Sequence, residues 1–291
     1  VAGFSQAAPI FSGLEYSRWI GPLHPTALRP ALGPGRRFVF VHFWDTHTPY
    51  GAADARALGT TAQLLNQGRR QEVIAGYQAA VERVFEHQVA PLLEGLALEE
   101  WMVVILGDHG ESWTDEEPYH GQTLNNSVLR VPLYLHLPYS GNPLLPGAVH
   151  SLVDVFATVD HLFGLRSGYR GYGRDLRTLS RPTPYLAELD PGPVVPAAGA
   201  EPGILVGRPN PGPQWALFDA ARKFTFWERS GACRLEDTFS GQILEMDAGG
   251  VEGYRSAYRT LVAASAYAAL PPAGTEPDTL VDQRLRELGY L

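Results

Sequence analysis

The apolar and polar positions of the chain alternate in blocks that predict an α/β fold. Residues 37–43, Arg-Phe-Val-Phe-Val-His-Phe, form a nearly continuous apolar run, which is typical of a buried strand in a parallel sheet. Apolar residues then recur three or four positions apart from Val73 to Leu96, which predicts a helix that Pro91 should kink or divide. Two further apolar runs, Trp101 to Leu106 and Val131 to Leu137, predict strands.

A strand, a long helix and a second strand in this order predict a right-handed βαβ unit. In sheets of this kind, functional residues gather in the loops that leave the carboxyl ends of the strands. His47 follows the first predicted strand, and Asp108 and His109 follow the second. We therefore expect these three side chains to lie at the same edge of the sheet.

The second half of the chain is predicted to contain one more helix, a linker and a small separate sheet. Residues 151–164 have the pattern of a helix that begins at a serine and ends at a glycine. Residues 190–213 are dense in proline and glycine and indicate a linker. Short strands within residues 214–247 predict an antiparallel sheet, and a last helix is predicted over residues 277–288. The predicted domain organisation is a catalytic α/β domain at residues 1–189, a linker at residues 190–213, and a small sheet with a terminal helix at residues 214–291.

Composition narrows the classes of function. The 291 residues suit one large α/β domain or one domain with a small appendage. A formal charge of -8 does not favour nucleic acid or an anionic membrane as a partner. The longest apolar runs are too short to predict a transmembrane helix. Cys233 is the single cysteine, which excludes an intrachain disulfide, and Lys223 is the single lysine.

The sequence Gly107-Asp108-His109-Gly110-Glu111 lies at the end of a predicted strand and, taken alone, suits a surface loop without metal better than one half of a metal site. Aspartate supplies a hard oxygen ligand and histidine a nitrogen ligand, and the glycines permit a tight loop that can turn both side chains toward one ion. His120 follows eleven residues after His109, and His47 lies in an aromatic loop upstream. A cation surrounded by imidazoles is suited to binding a tetrahedral oxyanion ester.

At these residues the chain resembles the sulfatase family of the alkaline-phosphatase superfamily. The landmarks that carry the resemblance occur in family order: FVFVHFWDTHTPY, WMVVILGDHGE, the His-Gly at 120, and RVPLYLHLP. It continues through SLVDVFATVDHLFGL and GYGRDLRTL to RKFTFWE and QRLRELGYL. The implied fold is a mostly parallel sheet flanked by helices, with a small C-terminal antiparallel subdomain.

The resemblance also implies roles for individual residues. Asp108 and His109 would be ligands of one divalent metal ion, and His47 and His120 would contact the ester group or the leaving oxygen. Asp45 and Glu111 would orient loops or ligands rather than react. Ca²⁺, Mn²⁺ and Zn²⁺ all suit an Asp-His pair, whereas a histidine ligand makes Mg²⁺ less suitable.

Two elements of the family pattern are not identified where the family places them. These are the nucleophile, usually a cysteine or serine in a Cys/Ser-x-Pro/Ala-x-Arg motif, and an acidic pair of metal ligands near the N-terminus. Residues 1–19 resemble the family segment that follows the nucleophile helix, so we expect both elements upstream of Val1. The chain is therefore predicted to be the C-terminal part of the enzyme and inactive, or nearly so, by itself.

The predicted function is metal-dependent hydrolysis of a small-molecule sulfate ester, or of a phosphate or phosphonate ester. No lysine occurs between residues 111 and 135, where many sulfatases carry one near the sulfate, so the choice between sulfate and phosphate stays open. One alternative is a relative of the phosphoethanolamine and phosphoglycerol transferases. Another, from a different class, is a degenerate member that binds such esters without catalysis.

Overall fold

The computed structural model describes residues 38–43, 45–47, 50, 61, 63–114, 119–138, 150–165, 171–178, 184–190 and 211–264. Helices and strands follow one another along these residues, which confirms the predicted mixed α/β class. None of the helices in these ranges combines the length and the apolar character that crossing a bilayer requires. The predicted terminal helix at residues 277–288 lies outside the described ranges, as does most of the predicted linker.

The long predicted helix is present and is interrupted just before Pro91. Helix α1 spans Arg70–Val84, a π-helical turn spans Phe85–Val89, and helix α2 spans Ala90–Glu94. Pro91 has no backbone N–H to donate to the preceding turn, and the wider π turn accommodates its ring. The prediction that Pro91 kinks or divides the helix is consistent with this change of winding.

Two of the three strands predicted for the first half of the chain are present. Strand β1 spans Val103–Leu106 and strand β2 spans Leu133–His136, with the short helix α3, Asn126–Leu129, between them. β1 and β2 pair antiparallel, with Val103 opposite His136. The mostly parallel arrangement of the sheet is not confirmed, because the strand pairs in the described residues are all antiparallel.

The prediction of a strand over residues 37–43 is wrong, since residues 38–43 form no ladder in the described part of the chain. Phe38 and Phe40 are each 55% exposed. Leu106 and Tyr134, on β1 and β2, are also exposed. A continuous apolar run becomes a buried strand only when neighbouring strands and layers cover both of its faces, and a two-stranded ribbon does not supply that cover.

Helix α4, Leu152–Phe163, is close to its predicted bounds and carries a buried carboxylate in its first turn. Asp154 is fully buried. Its Oδ2 accepts hydrogen bonds from Ser151 N at 3.0 Å and from the Tyr185 hydroxyl at 2.7 Å. Oδ1 accepts from Arg174 N at 2.8 Å. These bonds satisfy the carboxylate and join the start of the helix to the second sheet.

The predicted C-terminal sheet is confirmed as a five-stranded antiparallel meander in the order β3-β4-β5-β6-β7. Its strands are Tyr185–Leu189, Gln214–Phe218, Arg222–Trp227, Cys233–Asp237 and Ile243–Leu244. Helix α5, Ala248–Ala264, follows and was not predicted. Its apolar side chains recur at helical spacing, but three glycines dilute the pattern in its first two turns.

Side chains alternate across this sheet and give it two different faces. One face carries the larger hydrophobic core, in which Trp215, Phe224 and Leu235 pack against α5. The rings of Trp215 and Tyr258 stack with their centroids 4.2 Å apart and 1° between their planes. The other face of β4, β5 and β6 is polar and nevertheless buried. It carries Gln214, Lys223, Thr225 and Glu236.

Candidate active site

The loop after β1 is tied to helix α3 through Gly110. Gly110 N donates to Val128 O at 2.7 Å. A Cβ atom at Gly110 would overlap the carbonyl oxygen of Ser127. Only glycine permits two backbones to approach this closely. The position of the loop that carries His109 and Glu111 therefore depends on the missing side chain at residue 110.

The three histidines singled out from the sequence lie together. The ring centroids of His109 and His120 are 3.9 Å apart with 35° between the planes. The ring of His47 meets that of His120 edge-on at 5.8 Å. Nδ1 of His109 lies 3.1 Å from the Gly110 carbonyl oxygen. Because a carbonyl oxygen only accepts, Nδ1 carries the proton and Nε2 is the ring nitrogen available to a metal ion.

Glu111 is buried against His120. Its Oε1 lies 3.0 Å from Nδ1 of His120, and the side chains of Glu111 and His120 are 5% and 16% exposed. An ionised carboxylate only accepts, so Nδ1 of His120 donates and Nε2 is left for another ligand. Burial and the charge of Glu111 raise the pKa of Tyr119 to about 12, which keeps that phenol protonated beside the site.

The second carboxylate oxygen of Glu111, Oε2, is buried and has no hydrogen-bond partner among the described residues. A buried carboxylate oxygen without a partner costs free energy, and a cation or a water molecule bound beside it would remove that cost. The position of Oε2 therefore fits a cation bound near His109 and His120.

Asp108 lies at the open side of the same loop. Its side chain is 66% exposed, and Oδ2 is 3.7 Å from Nε2 of His109. Ligand atoms lie about 2.0–2.3 Å from zinc, so two atoms on one ion are roughly 3–4 Å apart. The predicted pair of Asp108 and His109 therefore has the separation that a shared metal ion requires.

A second set of possible ligands shares His109 with this pair. The side chains of His109, Glu111 and His120 each offer one ligand atom, and these atoms lie within 4.8 Å of one another. Two imidazoles and a carboxylate are a donor set suited to zinc and similar transition metals. The residues present thus fit a divalent metal ion, with His109 common to both sets.

Two aromatic residues, Tyr50 and Trp113, connect the loops of the site. Tyr50 and Trp113 have positive φ angles of 60° and 49°. Nε1 of Trp113 donates to the Tyr50 hydroxyl at 2.9 Å, and Tyr50 N donates to His47 O at 2.7 Å. Bulky residues in this conformation are strained, and such strain clusters at functional sites. The hydrogen bond joins the loop of His47 to the loop of Glu111.

Asp45 lies apart from this arrangement in its contacts. Its Oδ2 accepts a hydrogen bond at 3.4 Å from Nε2 of Gln88, which lies on the π-helical turn. This contact suits the predicted role of Asp45 in orienting a loop, a role that stays a prediction.

A polar cavity of about 470 Å³ adjoins the site on the side of helix α3. Ser127, on its wall, donates to the Ser112 hydroxyl at 3.4 Å, next to Glu111. Arg130 and Glu236 place one charge of each sign on the wall. The turn at residues 239–241 of the C-terminal sheet also lines this cavity.

The letters Ser-x-Ala-x-Arg do occur once in the chain, at residues 230–234. They begin in the tight turn between β5 and β6, where Ser230 is exposed. Its hydroxyl oxygen accepts a hydrogen bond from Ala232 N at 3.2 Å. This turn lies at the end of the hairpin remote from the pair Lys223 and Glu236. The match in letters therefore falls in an exposed turn of the C-terminal sheet.

Comparison with known proteins relates the chain to one family model and to solved structures of low sequence identity. Residues 29–165 match the family model described as Sulfatase. No curated protein sequence matches the chain. The phosphonate monoester hydrolase SpPMH from Silicibacter pomeroyi is 19% identical, with a TM-score of 0.44 and coverage of 67% of this chain and 41% of that one.

The second structure is that of BT4656 in complex with its substrate D-glucosamine-2-N,6-O-disulfate. It is 14% identical, with a TM-score of 0.49, and covers 78% of this chain and 48% of that one. The chain thus spans less than half the length of either solved structure.

Proposed function

We propose that this chain is part of a metal-dependent hydrolase, because residues 29–165 match the Sulfatase family model, as the order of the motifs predicted. Its substrate is a small-molecule sulfate ester, or a phosphate or phosphonate ester. The observation that supports this most directly is the gathering of His109, Glu111 and His120 within the matched segment. Such a set can bind a cation and a tetrahedral anion together.

Asp108 and His109 bind the divalent ion in this proposal, through Oδ2 and Nε2. Ca²⁺, Mn²⁺ and Zn²⁺ suit these donors better than Mg²⁺. The ion supplies positive charge to the oxygens of the transferred group. The hydrogen bond from Nδ1 of His109 to Gly110 O fixes the imidazole with Nε2 toward the ion.

His120 and His47 contact the ester. Nδ1 of His120 donates to Glu111, so Nε2 is the atom that presents a proton to the leaving oxygen. The Glu111 carboxylate keeps that orientation and stabilises the positive imidazolium that donates the proton. His47, edge-on to His120, donates to an oxygen of the anionic group.

The experiment is a turnover assay on the full-length protein with metal supplied. The substrates are 4-nitrophenyl sulfate, 4-nitrophenyl phosphate and a 4-nitrophenyl phosphonate monoester. We expect hydrolysis of at least one ester, and no turnover by the 291-residue chain alone. Transfer of the group to an added alcohol in preference to water would favour a transferase. Binding of metal and ester anion without any turnover would favour a binding module and contradict the hydrolase.

The pairing of Glu111 with His120 predicts a dependence on the leaving group. 4-Nitrophenolate leaves readily without a proton, whereas phenolate leaves poorly and needs general acid assistance. Glu111→Gln should therefore lower kcat/KM for a phenyl ester by about 10–100-fold and for the 4-nitrophenyl ester by much less. His120→Gln should show the same selectivity, with a larger loss of about 100–10,000-fold for the phenyl ester.

Glu82→Gln provides the matched control, since Glu82 is an exposed carboxylate on helix α1. It should leave both esters unaffected. Equal losses for phenyl and 4-nitrophenyl esters in Glu111→Gln would show that Glu111 does not act through proton donation by His120.

A further inference from the structure

The polar face of the five-stranded sheet is buried at a position where an apolar face would be expected. Lys223 and Gln214 are 1% and 2% exposed. Nζ of Lys223 lies 3.2 Å from Oε2 of Glu236, its partner across the β5–β6 pair. Burying a charged pair rarely stabilises a fold more than apolar residues of the same volume would, so stability alone does not explain this face.

Both residues bind the same short segment of backbone. Nζ of Lys223 donates to Leu124 O at 2.9 Å. Oε1 of Gln214 accepts from Leu124 N at 3.2 Å, while its Nε2 donates to Gln122 O at 2.7 Å. The two side chains thereby satisfy both backbone polar groups of Leu124, which is itself buried. Three hydrogen bonds from the sheet thus fix residues 122–124.

This segment lies between the sheet and the candidate active site. His120 precedes it by two residues, and helix α3 begins two residues after it, at Asn126. Helix α3 contacts the loop of His109 and Glu111 through Val128 O, which accepts from Gly110 N, and through the hydroxyl of Ser127, which donates to that of Ser112. The sheet therefore contacts residues 122–124, which connect His120 to helix α3. Helix α3 in turn contacts the loop that carries His109 and Glu111.

We propose that Lys223 and Gln214 are positioning residues of the active site, which place His120 against Glu111 and His109 by binding the backbone of residues 122–124. This inference rests on the proposed function for its kinetic consequences. The physical basis is that a catalytic imidazole must be kept within a fraction of an ångström of its partners, and a loop does this only when a rigid element supports it.

Lys223 also affects stability, and the two effects can be separated. Burial lowers the pKa of the Lys223 ammonium, while the charge of Glu236 opposes this shift. Lys223→Met removes the donor to Leu124 O and leaves Glu236 buried with less compensation, so the thermal midpoint should fall by about 5 °C or more. The double variant Lys223→Met with Glu236→Gln removes both charges and should recover most of that fall.

The experiment compares four variants of the full-length protein. They are Lys223→Met, the double variant, Gln214→Leu, and Thr225→Val as the matched control. Thr225 lies on the same face and is 1% exposed, and its hydroxyl has no hydrogen-bond partner among the described residues. The readouts are the thermal midpoint, kcat/KM for phenyl and 4-nitrophenyl esters, and the imidazole resonances of His120 in selectively histidine-labelled protein.

We expect the double variant and Gln214→Leu to be folded, to show shifted His120 resonances, and to lose about 10–100-fold for the phenyl ester, with a smaller loss for the 4-nitrophenyl ester. Thr225→Val should match the wild type in all readouts. Recovery of both stability and phenyl-ester turnover in the double variant, or unshifted His120 resonances, would overturn the proposal. If the wild type itself lacks turnover, the proposed function fails, and the His120 resonances still test the positioning role.

Discussion

Gly110→Ala should be the most destabilising single methyl addition in the described part of the chain. The new Cβ would overlap the Ser127 carbonyl oxygen and lie 3.3 Å from that of Arg130. Both are backbone atoms, which cannot rotate away as a side chain can. Helix α3 and the loop after β1 would have to separate, breaking the bond from Gly110 N to Val128 O. Overpacking with a lost buried hydrogen bond should cost about 3–5 kcal/mol of unfolding free energy.

Gly76→Ala is the matched control for that experiment. Gly76 lies inside helix α1, and a Cβ there meets no atom within 4 Å. Alanine in place of glycine inside a helix stabilises by about 0.5–1 kcal/mol. Urea denaturation of both variants should therefore shift the midpoint in opposite directions. A Gly110→Ala protein with the wild-type midpoint would show that α3 does not pack on the loop as described.

The central part of the site could be predicted from the sequence because its signals are local. Asp108 and His109 follow an apolar strand directly, and His120 and His47 take their places through the resemblance to the sulfatase family. The structure brings the rings of His47, His109 and His120 together as expected. Their roles stay predictions, because catalysis and metal binding require measurements on the protein.

Contacts between distant segments could not be predicted in the same way. The bond between Glu111 and His120 depends on the path of the intervening loop. The bond from Lys223 to Leu124 joins residues 99 positions apart. In the sequence Lys223 belongs to an ordinary alternating strand, and nothing there shows that its outward face is covered. The pairing of the strands could not be predicted for the same reason. The apolar runs located β1 and β2, but their antiparallel pairing depends on tertiary context.

Loss of either proposed ligand should abolish stoichiometric metal binding by the full-length protein. Elemental analysis of the wild type should give about one divalent ion per chain, and Asp108→Ala and His109→Ala should each lose it. Removing a direct ligand should weaken affinity by more than the roughly 10–100-fold that loss of an outer hydrogen bond costs. Glu82→Ala and His87→Ala remove an exposed carboxylate and an exposed imidazole, and they should keep the ion.

Glu111→Gln decides between the two ligand sets, because His109 belongs to both. If the ion is bound by Asp108 and His109, Glu111→Gln keeps it and Asp108→Ala loses it. If it is bound by His109, Glu111 and His120, the outcomes are reversed, since an amide is a far weaker ligand than a carboxylate. Retention of the ion in both Asp108→Ala and His109→Ala would reject the assignment. Titration calorimetry with Zn²⁺ and Mn²⁺ measures these affinities without any turnover, so the result stands whichever ester the enzyme cleaves.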